Sequence, residues 1–467
     1  MQNLDLLVII IYFIIILFVG YINGRNQVTT SEYFLGQKKI SWYLIMLSVV
    51  ATETSVLTFL SIPGLSYIGN IGFLQLSLGY IVGRFLISIY LLPYYFNNSI
   101  ESTYEILKIK WGKNIQRFVS AVFQVTRVLA DGVRLFMTAI PLSLITGWSY
   151  TICIFIITIT TLLYSIYGGI KSVIWADSIQ FFIYLIGGFL TIYYLNILID
   201  GGIYSIIEIG LKNEKFEFLQ FSNPMTNPYN FFTSFFGGIF LSFASHGTDH
   251  LMVQRLLSAK NISSSRKALI GSGFIAFIQF AIFLFIGIGI WVFYEGKEIS
   301  SNEVFSSFLL NYVPSGVKGF LIASIFSAAM STLSSSINSL SSSTMTDWIK
   351  DIIPANYNIK FSKLISFLWA LIIAFSALIF TSTSGPLIEI ALSISSITYG
   401  GMLGFFILNF MKKNISTFFI VISFMISMLS MIYIVNFTSI AWPLFTLIGS
   451  LIMVIFAFIL NQLFSKK

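Results

Sequence analysis

The stretch at 323–347, ASIFSAAMSTLSSSINSLSSSTMTD, decides how the rest of the chain is interpreted. It is too apolar for a helix on the surface of a water-soluble protein, and too rich in hydroxyl groups for a helix that faces lipid. Small and polar residues recur in it at spacings of three and four, which places them on one helix face. They are Ala328, Ser331, Ser335, Asn338 and Ser342. Inside a bilayer, such an uncharged, oxygen-rich face must meet other protein, a water-filled cavity or a dehydrated cation.

The composition predicts an all-α protein that crosses a membrane many times. Of the 467 residues, 57% are hydrophobic and 9% are charged, and the mean hydropathy is +0.89. A water-soluble chain of this length would need far more polar surface. The alternating pattern of a membrane β-barrel is not favoured either. The single cysteine, Cys153, excludes an intrachain disulfide and disfavours a cysteine-based metal site.

Thirteen apolar runs are long enough to span a bilayer by the criterion of about 20 residues. They lie at 4–21, 41–69, 71–96, 117–146, 149–167, 177–199, 229–248, 267–294, 316–345, 362–382, 385–410, 415–436 and 441–464. The first run lacks the basic start and the small-residue cleavage site of a signal peptide, so we expect a retained helix. The pattern predicts a single transmembrane domain of about thirteen helices.

Lysine and arginine are unevenly distributed between the loops. If the N-terminus lies outside the cell, the loops on the opposite side carry 19 of the 26 basic residues and the outer loops carry four. The remaining three, Arg84, Arg127 and Arg134, fall within apolar runs. Because basic residues collect in cytoplasmic loops, this asymmetry predicts an outer N-terminus and a cytoplasmic C-terminus. It also explains the net charge of +8 without nucleic acid.

Polar residues interrupt two of the runs. The second is broken at 51–55, and in the seventh a glycine pair at 237–238 precedes polar residues at 242–249. These runs are five apart and have opposite orientations, which is typical of transporters built from two inverted repeats with a binding site between them. We therefore expect a first repeat at 41–200, a second repeat at 228–411, an extra helix and loop at 1–40, and extra helices at 412–467.

Six segments resemble the sodium:solute symporter family, whose members transport glucose, proline, pantothenate, iodide or sialic acid. They occur in the family's order and are spread over a stretch of about 310 residues. They are SEYFLGQKKISWYLIMLSVVATETS (31–55), GFLQLSLGYIVGR (72–84), STYEILKIKWG (102–112), YGGIKSVIWADSIQ (167–180), GTDHLMVQRLLSAKN (247–261) and SAAMSTLSSSINSLSSSTMTDW (327–348). The resemblance implies the leucine-transporter fold with its 5+5 inverted repeat. By the same resemblance, Tyr104, Glu105 and 255–261 are expected in cytoplasmic loops packed against the bundle.

The resemblance also implies a sodium site between the broken second run and the hydroxyl-rich helix. Its ligands would be the backbone carbonyls of Ala51, Thr54 and Ala328 and the hydroxyls of Ser331 and Thr332. Sodium is a hard cation that prefers oxygen ligands, and an unwound turn frees carbonyls that a helix would otherwise use. The alternative is that Ser331 and Thr332 are small residues that only let two helices pack closely.

Some family members have a second sodium site, whose acidic ligand comes from a W-x-D motif. In this chain the matching residues are Asp177, Ser334 and Ser335, with Ser331 as a further candidate. A buried carboxylate needs a counter-charge, and a cation would supply it. The alternative is that Asp177 caps the start of its helix at the cytoplasmic interface. The sequence therefore predicts one or two sodium ions.

Charged residues also occur inside the fourth run, where Arg127, Asp131 and Arg134 share one helix face. Their excess of one positive charge should meet a carboxylate, either that of Glu53 or that of an anionic substrate held by a guanidinium. The family resemblance favours Arg134 as the substrate ligand. The alternative is a purely structural ladder of arginine and aspartate. The candidate substrate residues are Glu53, Ser55, Thr58, Phe73, Gln75, Arg134 and Ser242.

These observations favour a sodium-coupled symporter that imports a small organic solute, with an anion mildly favoured, by alternating access in the cell membrane. No oligomer is required. A proton-coupled or sodium-independent carrier is the nearest alternative. A membrane-embedded enzyme is disfavoured because the sequence contains no paired aspartate motif, no G-x-S-x-G and no P-loop. His246 and His250 are four residues apart but have no evident third ligand for a metal.

Overall fold

The computed structural model describes residues 3–24, 27, 29–350, 352–353, 358–382, 387–411 and 415–464. This part of the chain forms α-helices with short 3₁₀ and π-helical segments, and contains no β-strand; the segment 213–230 is a longer non-helical connection. The helices are α1 (Asn3–Asn23), α2 (Thr30–Leu35), α3 (Trp42–Glu53), α4 (Val56–Ile68), α5 (Leu74–Asn97), α6 (Glu105–Trp111), α7 (Lys113–Thr146), α8 (Tyr150–Leu198), α9 (Gly202–Lys212), α10 (Phe231–Gly247), α11 (His250–Leu257), α12 (Ile262–Phe293), α13 (Val304–Tyr312), α14 (Val317–Ser343), α15 (Asn358–Ile379), α16 (Leu387–Phe410), α17 (Thr417–Phe437) and α18 (Phe445–Phe464).

The hydroxyl-rich stretch forms α14, which lies at the centre of the bundle. It packs against α1, α3, α7, α8 and α15, and every residue from Leu321 to Ser343 is buried. Its N-terminal end is held by Asp5 of α1, whose Oδ1 accepts hydrogen bonds from the backbone N–H groups of Gly316 (2.7 Å) and Gly319 (3.0 Å). A carboxylate is favoured there by the unpaired donors of a helix start. The uncharged oxygen face of α14 therefore meets other helices rather than lipid.

The second apolar run is broken, as predicted. The chain bends by 58° between α3 and α4. Thr54 leaves the helical conformation at φ −86° and ψ 73°, and Ser55 starts α4 by accepting a hydrogen bond from Leu57 N–H at 3.3 Å. The break leaves carbonyls at the end of α3 without an intrahelical partner, next to α14.

The prediction of an interrupted seventh run is correct only at its end. α10 continues through the glycine pair, because these residues allow close packing and do not break the helix. A Cβ at Gly237 would lie 2.6 Å from Pro443 Cβ, and one at Gly238 would lie 2.3 Å from the Leu76 carbonyl oxygen. The break comes after Gly247, where Thr248 and Asp249 connect α10 to α11.

The fifth and sixth runs are joined more directly than predicted. The linker between them is helical, so α8 extends over 49 residues with one interruption at Gly169. That residue has φ +53°, and a Cβ there would lie 2.1 Å from the Tyr33 carbonyl oxygen. Both the backbone conformation and the close approach of α2 require glycine at this position.

Each of the thirteen apolar runs coincides with helix. Within the described residues, nine helices are long and apolar enough to cross a membrane, or ten if the bent α3–α4 pair is one span. α8 counts once in this number although it contains two runs. α7, which contains the fourth run, and α10, which has 17 residues, are not counted. The number of crossings and the division into repeats at 41–200 and 228–411 therefore stay predictions.

Candidate functional site

The residues of the first predicted sodium site converge where α14 passes the broken end of α3. Ser331 Oγ donates a hydrogen bond to the Ala51 carbonyl at 2.8 Å. Thr332 Oγ1 lies 3.4 Å from the Ala328 carbonyl. These four residues are at most 3% exposed. The structure thus brings together two hydroxyls and two carbonyls from helices that are about 280 residues apart in the chain.

The carbonyl that Thr332 contacts on the broken helix is that of Thr52, at 3.2 Å. Thr52 was not among the predicted ligands. The hydroxyl of Thr54 is directed elsewhere, to the Val50 carbonyl (2.5 Å) and to Tyr184 OH (2.6 Å). The role of the Thr54 carbonyl therefore stays a prediction.

The chemistry of this cluster fits a sodium ion. It offers oxygen atoms without a formal charge, which is the ligand type that a hard monovalent cation takes in place of its hydration shell. The two hydroxyls can turn their protons away and direct lone pairs to an ion between the helices. Ser331 and Thr332 are small enough for close packing as well, so their contacts alone agree with both interpretations.

The second predicted site is centred on Asp177, which is fully buried and lies about two helical turns after the interruption at Gly169 in α8. Its Oδ2 accepts hydrogen bonds from Ser48 Oγ at 2.6 Å and from Ser335 Oγ at 3.4 Å. The alternative that Asp177 caps a helix start is wrong, because the helix continues for two turns before it. Ser334 does not contact the aspartate, since its Oγ donates to the Ser331 carbonyl at 3.1 Å.

Arg255 is a part of this second site that the sequence analysis missed. It was expected in a cytoplasmic loop, but it lies in α11 and is fully buried. Its Nη2 lies 3.3 Å from Asp177 Oδ2 and also donates to Ser335 Oγ, while its Nε donates to Ser48 Oγ at 2.9 Å. The signal for its burial was present in the apolar neighbours of the MVQRLL segment.

This ion pair changes the argument for a second sodium ion. The buried carboxylate of Asp177 already has a counter-charge in Arg255, so it does not need a metal cation for neutrality. Its Oδ1, however, accepts no hydrogen bond from the described residues. The oxygens of Asp177, Ser48 and Ser335 therefore fit a cation that replaces the guanidinium of Arg255. A cation in addition to the guanidinium would add a second buried positive charge.

A cavity adjoins the broken end of α3. It encloses about 100 Å³, several times the ~10–15 Å³ that admits one water molecule. Five of the seven predicted substrate residues line it: Glu53, Ser55, Thr58, Phe73 and Arg134. A small adjoining cavity is lined by Ser55, Arg134 and Thr332, so Arg134 borders both the larger cavity and a space next to the first predicted sodium site.

Gln75 and Ser242 do not line this cavity. The side-chain amide of Gln75 donates to the carbonyls of Gly72 (3.2 Å) and Tyr229 (2.6 Å), and its oxygen accepts from a backbone N–H at 3.3 Å. Ser242 Oγ donates to the Tyr80 carbonyl at 3.1 Å. Both side chains hold α5 against neighbouring segments in this arrangement, because their polar atoms are used by the backbone.

The arginine–aspartate ladder of α7 has a protein counter-charge that the sequence analysis did not identify. Asp131 lies between the two arginines, 2.6 Å from Arg134 Nη1 and 3.7 Å from Arg127 Nε. Arg127 Nη2 also contacts Asp249 Oδ2 at 3.1 Å, and Tyr399 OH donates to the same oxygen at 2.5 Å. Asp249 therefore balances the excess positive charge, and of the two predicted alternatives Glu53 is not the ion-pair partner. The other alternative, an anionic substrate on Arg134, stays a prediction.

Glu53 is paired instead with Arg84 of α5, which is fully buried and also donates to Ser272 Oγ at 2.6 Å. His246 Nε2 lies 3.6 Å from the same carboxylate oxygen. His250 faces a different region, where its ring nitrogens contact Thr103 and Ser342. The two histidines thus do not converge on one point.

The overall arrangement of helices is shared with solved membrane transporters. The structure superposes with a TM-score of 0.90 on a substrate-bound, outward-open Na⁺-coupled sialic acid symporter, which is 24% identical and covers 99% of this chain and 98% of that one. With the nucleobase-cation-symport-1 family transporter Mhp1 the TM-score is 0.58 at 12% identity, covering 94% of this chain and 96% of that one. The chain therefore has the leucine-transporter fold.

The chain belongs to the sodium:solute symporter family, whose sequence profile matches residues 33–418. It is 26% identical to the sodium-coupled monocarboxylate transporter 2 of Bos taurus over 83% of this chain, and spans 64% of that relative's length. It is 23% identical to the sodium/sialic acid symporter of Aliivibrio fischeri over 100% of this chain and 94% of the relative. The chain is thus a multi-pass membrane protein of a transporter family.

Proposed function

We propose that the protein is a sodium-coupled symporter that carries a small, carboxylate-bearing organic solute across the membrane by alternating access. The observation that carries this proposal is the contact between Ser331 and the Ala51 carbonyl. It places uncharged oxygens from α14 and from the broken α3 at one buried point, beside a cavity of solute size. Several relatives named as sodium-coupled transporters support the same conclusion.

Sodium would act by holding two parts of the bundle together. The ion would bind between the end of α3 and α14, and these two elements belong to different predicted repeats. An ion that binds one arrangement of the repeats better than another shifts the population toward that arrangement. A membrane potential of 100 mV adds about 2.3 kcal/mol for each positive charge that moves inward.

The solute would bind in the cavity next to this point, with its carboxylate on Arg134. Only one of the terminal nitrogens of that guanidinium is used within the described structure, by Asp131. An arginine with an open donor edge suits a carboxylate. The relatives named for monocarboxylates and for sialic acid, both of which carry carboxylates, support this choice. Ser55, Thr58 and Phe73 would contact the rest of the solute.

The proposed orientation has the N-terminus outside and the C-terminus in the cytoplasm of the cell. It is supported by the excess of lysine and arginine in the loops on one side. The burial of Arg255 removes one residue from that set and leaves the asymmetry intact. Import then requires sodium and solute to enter from the side of the N-terminus and to leave on the side of α11.

The test is transport by the purified protein in liposomes. An inward sodium gradient should drive uptake of at least one of radiolabelled pyruvate, N-acetylneuraminate or L-proline, and a matched potassium gradient should not. The Ser331→Ala variant should raise the sodium concentration for half-maximal uptake by about tenfold, because it removes one ligand worth about 1.4 kcal/mol.

Ser336→Ala is the matched control. Ser336 is buried on the same helix, and its hydroxyl has no hydrogen bond to any described residue, so its sodium response should equal that of the wild type. If a proton gradient drives uptake equally well in the absence of sodium, the protein is a proton-coupled carrier instead. If Ser331→Ala keeps the wild-type sodium response, the sodium does not bind at this point.

A further inference from the structure

Two carboxylates, Glu53 and Asp249, and two guanidiniums, Arg127 and Arg134, line the cavity beside the broken α3. Asp249 uses both of its oxygens within the protein, on Leu251 N–H and on Arg127 with Tyr399. Within the described structure, Glu53 has a free carboxylate oxygen, and Arg134 has a free donor edge. Glu53, at the end of α3, and Arg134, in α7, both line it. Their partners Arg84 and Asp131 do not line it, so each pair presents one member to the cavity and keeps the other behind. A solute in this space therefore meets a negative group and a positive group.

Glu53 uses only one of its two oxygens within the protein. Its Oε2 bonds Arg84 and approaches His246 at 3.6 Å. Its Oε1 accepts no hydrogen bond from any residue that the structure describes, and the side chain remains 11% exposed. A carboxylate oxygen that faces a binding cavity must be given a donor by the solute, because a desolvated oxygen without one is unfavourable.

Arg134 likewise has guanidinium donors that no described residue accepts from. Nη1 donates to Asp131 at 2.6 Å. Nε is buried without an acceptor, and among the described residues none accepts from Nη2. The side chain is 16% exposed, compared with 2% for Asp131. Two donors on one edge of a guanidinium match the two oxygens of a carboxylate.

The protein also balances its own charges around the cavity. Arg84 balances Glu53, and Asp131 with Asp249 balances Arg127 and Arg134. An excess of positive charge, which would favour a simple anion, is therefore not present in this cluster. The selectivity is decided locally, by what each end of the solute offers to Arg134 and to Glu53.

We propose that the transported solute is a small zwitterion, in which a carboxylate binds Arg134 and an ammonium group binds Glu53. This inference rests on the proposed function, since it names the solute class of the same site. An ammonium supplies donors of opposite charge to Oε1. A monocarboxylate of the same skeleton leaves that oxygen unpaired, and a site built around a polar contact strongly rejects an analogue that lacks it.

The test compares matched solutes that differ only in the ammonium group. The probes are L-alanine and propionate, L-proline and cyclopentanecarboxylate, and L-phenylalanine and 3-phenylpropionate, with N-acetylneuraminate as a hydroxylated anion. The readout is the rise in melting temperature of the protein in lipid nanodiscs, with sodium or with potassium. At least one zwitterion should stabilise the protein in sodium, at a concentration about 10- to 100-fold lower than its matched anion.

Variants then identify the residue responsible. Glu53→Gln alone leaves Arg84 buried without its partner and can prevent folding, so Glu53→Gln/Arg84→Gln removes both charges together. This double variant should bind the zwitterion and its matched anion equally, while Arg134→Gln should weaken both. Glu208→Gln is the control, because Glu208 is an exposed glutamate paired with Lys212 on α9, and it should keep the wild-type discrimination.

Two results overturn the inference. One is that no zwitterion stabilises the protein. The other is that the matched anions or N-acetylneuraminate stabilise it as well as the zwitterions do. If such an anion binds only in sodium, the sodium symport proposal stands and the zwitterion is excluded. If zwitterions bind equally in sodium and potassium, the solute class is supported and the coupling to sodium is not.

Discussion

The two predicted cation positions lie one turn apart on α14, at Ser331 and Ser335, but their surroundings differ in charge. Around Ser331 the structure gathers uncharged oxygens, including the carbonyls of Ala51 and Thr52. Around Ser335 it gathers Asp177 and Arg255, a buried carboxylate with a buried guanidinium. The first position has no cation of its own among the described residues, and the second has one supplied by the protein.

This difference predicts a different response to sodium at each position. At the first, an ion gains oxygen ligands and displaces only hydrogen bonds between hydroxyls and carbonyls. At the second, an ion must either displace Arg255 or add a second positive charge to a buried cluster, which is unfavourable. A position that already contains its counter-charge is suited to holding α3, α8, α11 and α14 together. The comparison therefore predicts that the turn of α14 at Ser331 binds sodium, and that the next turn, at Ser335, mainly stabilises the fold.

The largest effect is expected from Arg255→Ala. This variant leaves Asp177 buried without its partner, and breaking a buried pair in this way destabilises a protein by about 3–5 kcal/mol. We expect a large loss of melting temperature and of monodisperse protein, measured by fluorescence-detected size exclusion after heating. Asp177→Asn/Arg255→Gln removes both charges and should recover most of the loss.

Arg266→Ala is the control for this prediction. Arg266 is an arginine of α12 that is only partly buried and donates one hydrogen bond, to the Ser88 carbonyl at 2.9 Å. Its removal should have a small effect. If Arg255→Ala is no less stable than Arg266→Ala, the guanidinium is not the counter-charge of Asp177, and the contrast between the two positions disappears.

Replacing sodium by a larger cation tests whether sodium binds at the Ser331 position. When N-methyl-D-glucamine replaces sodium, the wild type should lose the free energy of stabilisation that bound sodium provides. This loss is about 2.7 kcal/mol if the sodium concentration was 100 times its dissociation constant. The loss appears as a sodium-dependent melting temperature. Asp177→Asn/Arg255→Gln should retain this dependence, while Ser331→Ala should shift it to higher sodium concentration. The opposite pattern would place the bound ion at Asp177.

The sequence was sufficient to predict the architecture. Hydrophobic runs of membrane length and the polar break at 51–55 both report local properties of the chain, whereas the orientation inferred from the basic loops stays a prediction. Each apolar run coincides with helix, and the break forms where it was expected. The meeting of Ser331 with Ala51 was also expected, because both lie in segments that resemble the family. Apolar runs, helix breaks and family motifs can each be identified within one segment of the sequence, without knowing which distant residues it contacts.

The sequence was not sufficient to pair the buried charges. Glu53 was one of two candidate partners for Arg127 and Arg134. It lines the same cavity as they do, but its ion pair is with Arg84, and Asp249 is the partner of Arg127. These pairs join residues that are 31 and 122 positions apart. Helix periodicity places a charge on a face, but the partner depends on which helix packs against that face. The same reason explains why Arg255 was assigned to a loop.

The glycine pair of α10 illustrates a second kind of error. Gly237 and Gly238 were interpreted as part of a broken helix, since glycine lowers helix propensity. In the structure they permit close contact with the Leu76 carbonyl and with Pro443. The same residue type serves both purposes, and the distinction depends on a neighbouring surface that one sequence does not reveal.

The smallest effect is expected at Thr52, which connects the two positions. Its carbonyl accepts from Thr332 in the first, and its hydroxyl lies 3.2 Å from Ser335 Oγ and 3.5 Å from Asp177 Oδ2 in the second. Thr52→Val removes the hydroxyl and keeps the carbonyl and the shape. We expect a loss of about 1 kcal/mol in stability with a nearly unchanged sodium half-saturation, whereas Thr52→Ser should keep both. A sodium response that weakens in Thr52→Val as much as in Ser331→Ala would mean that the hydroxyl network, and not the carbonyls, holds the ion, and the two positions would then act as one site.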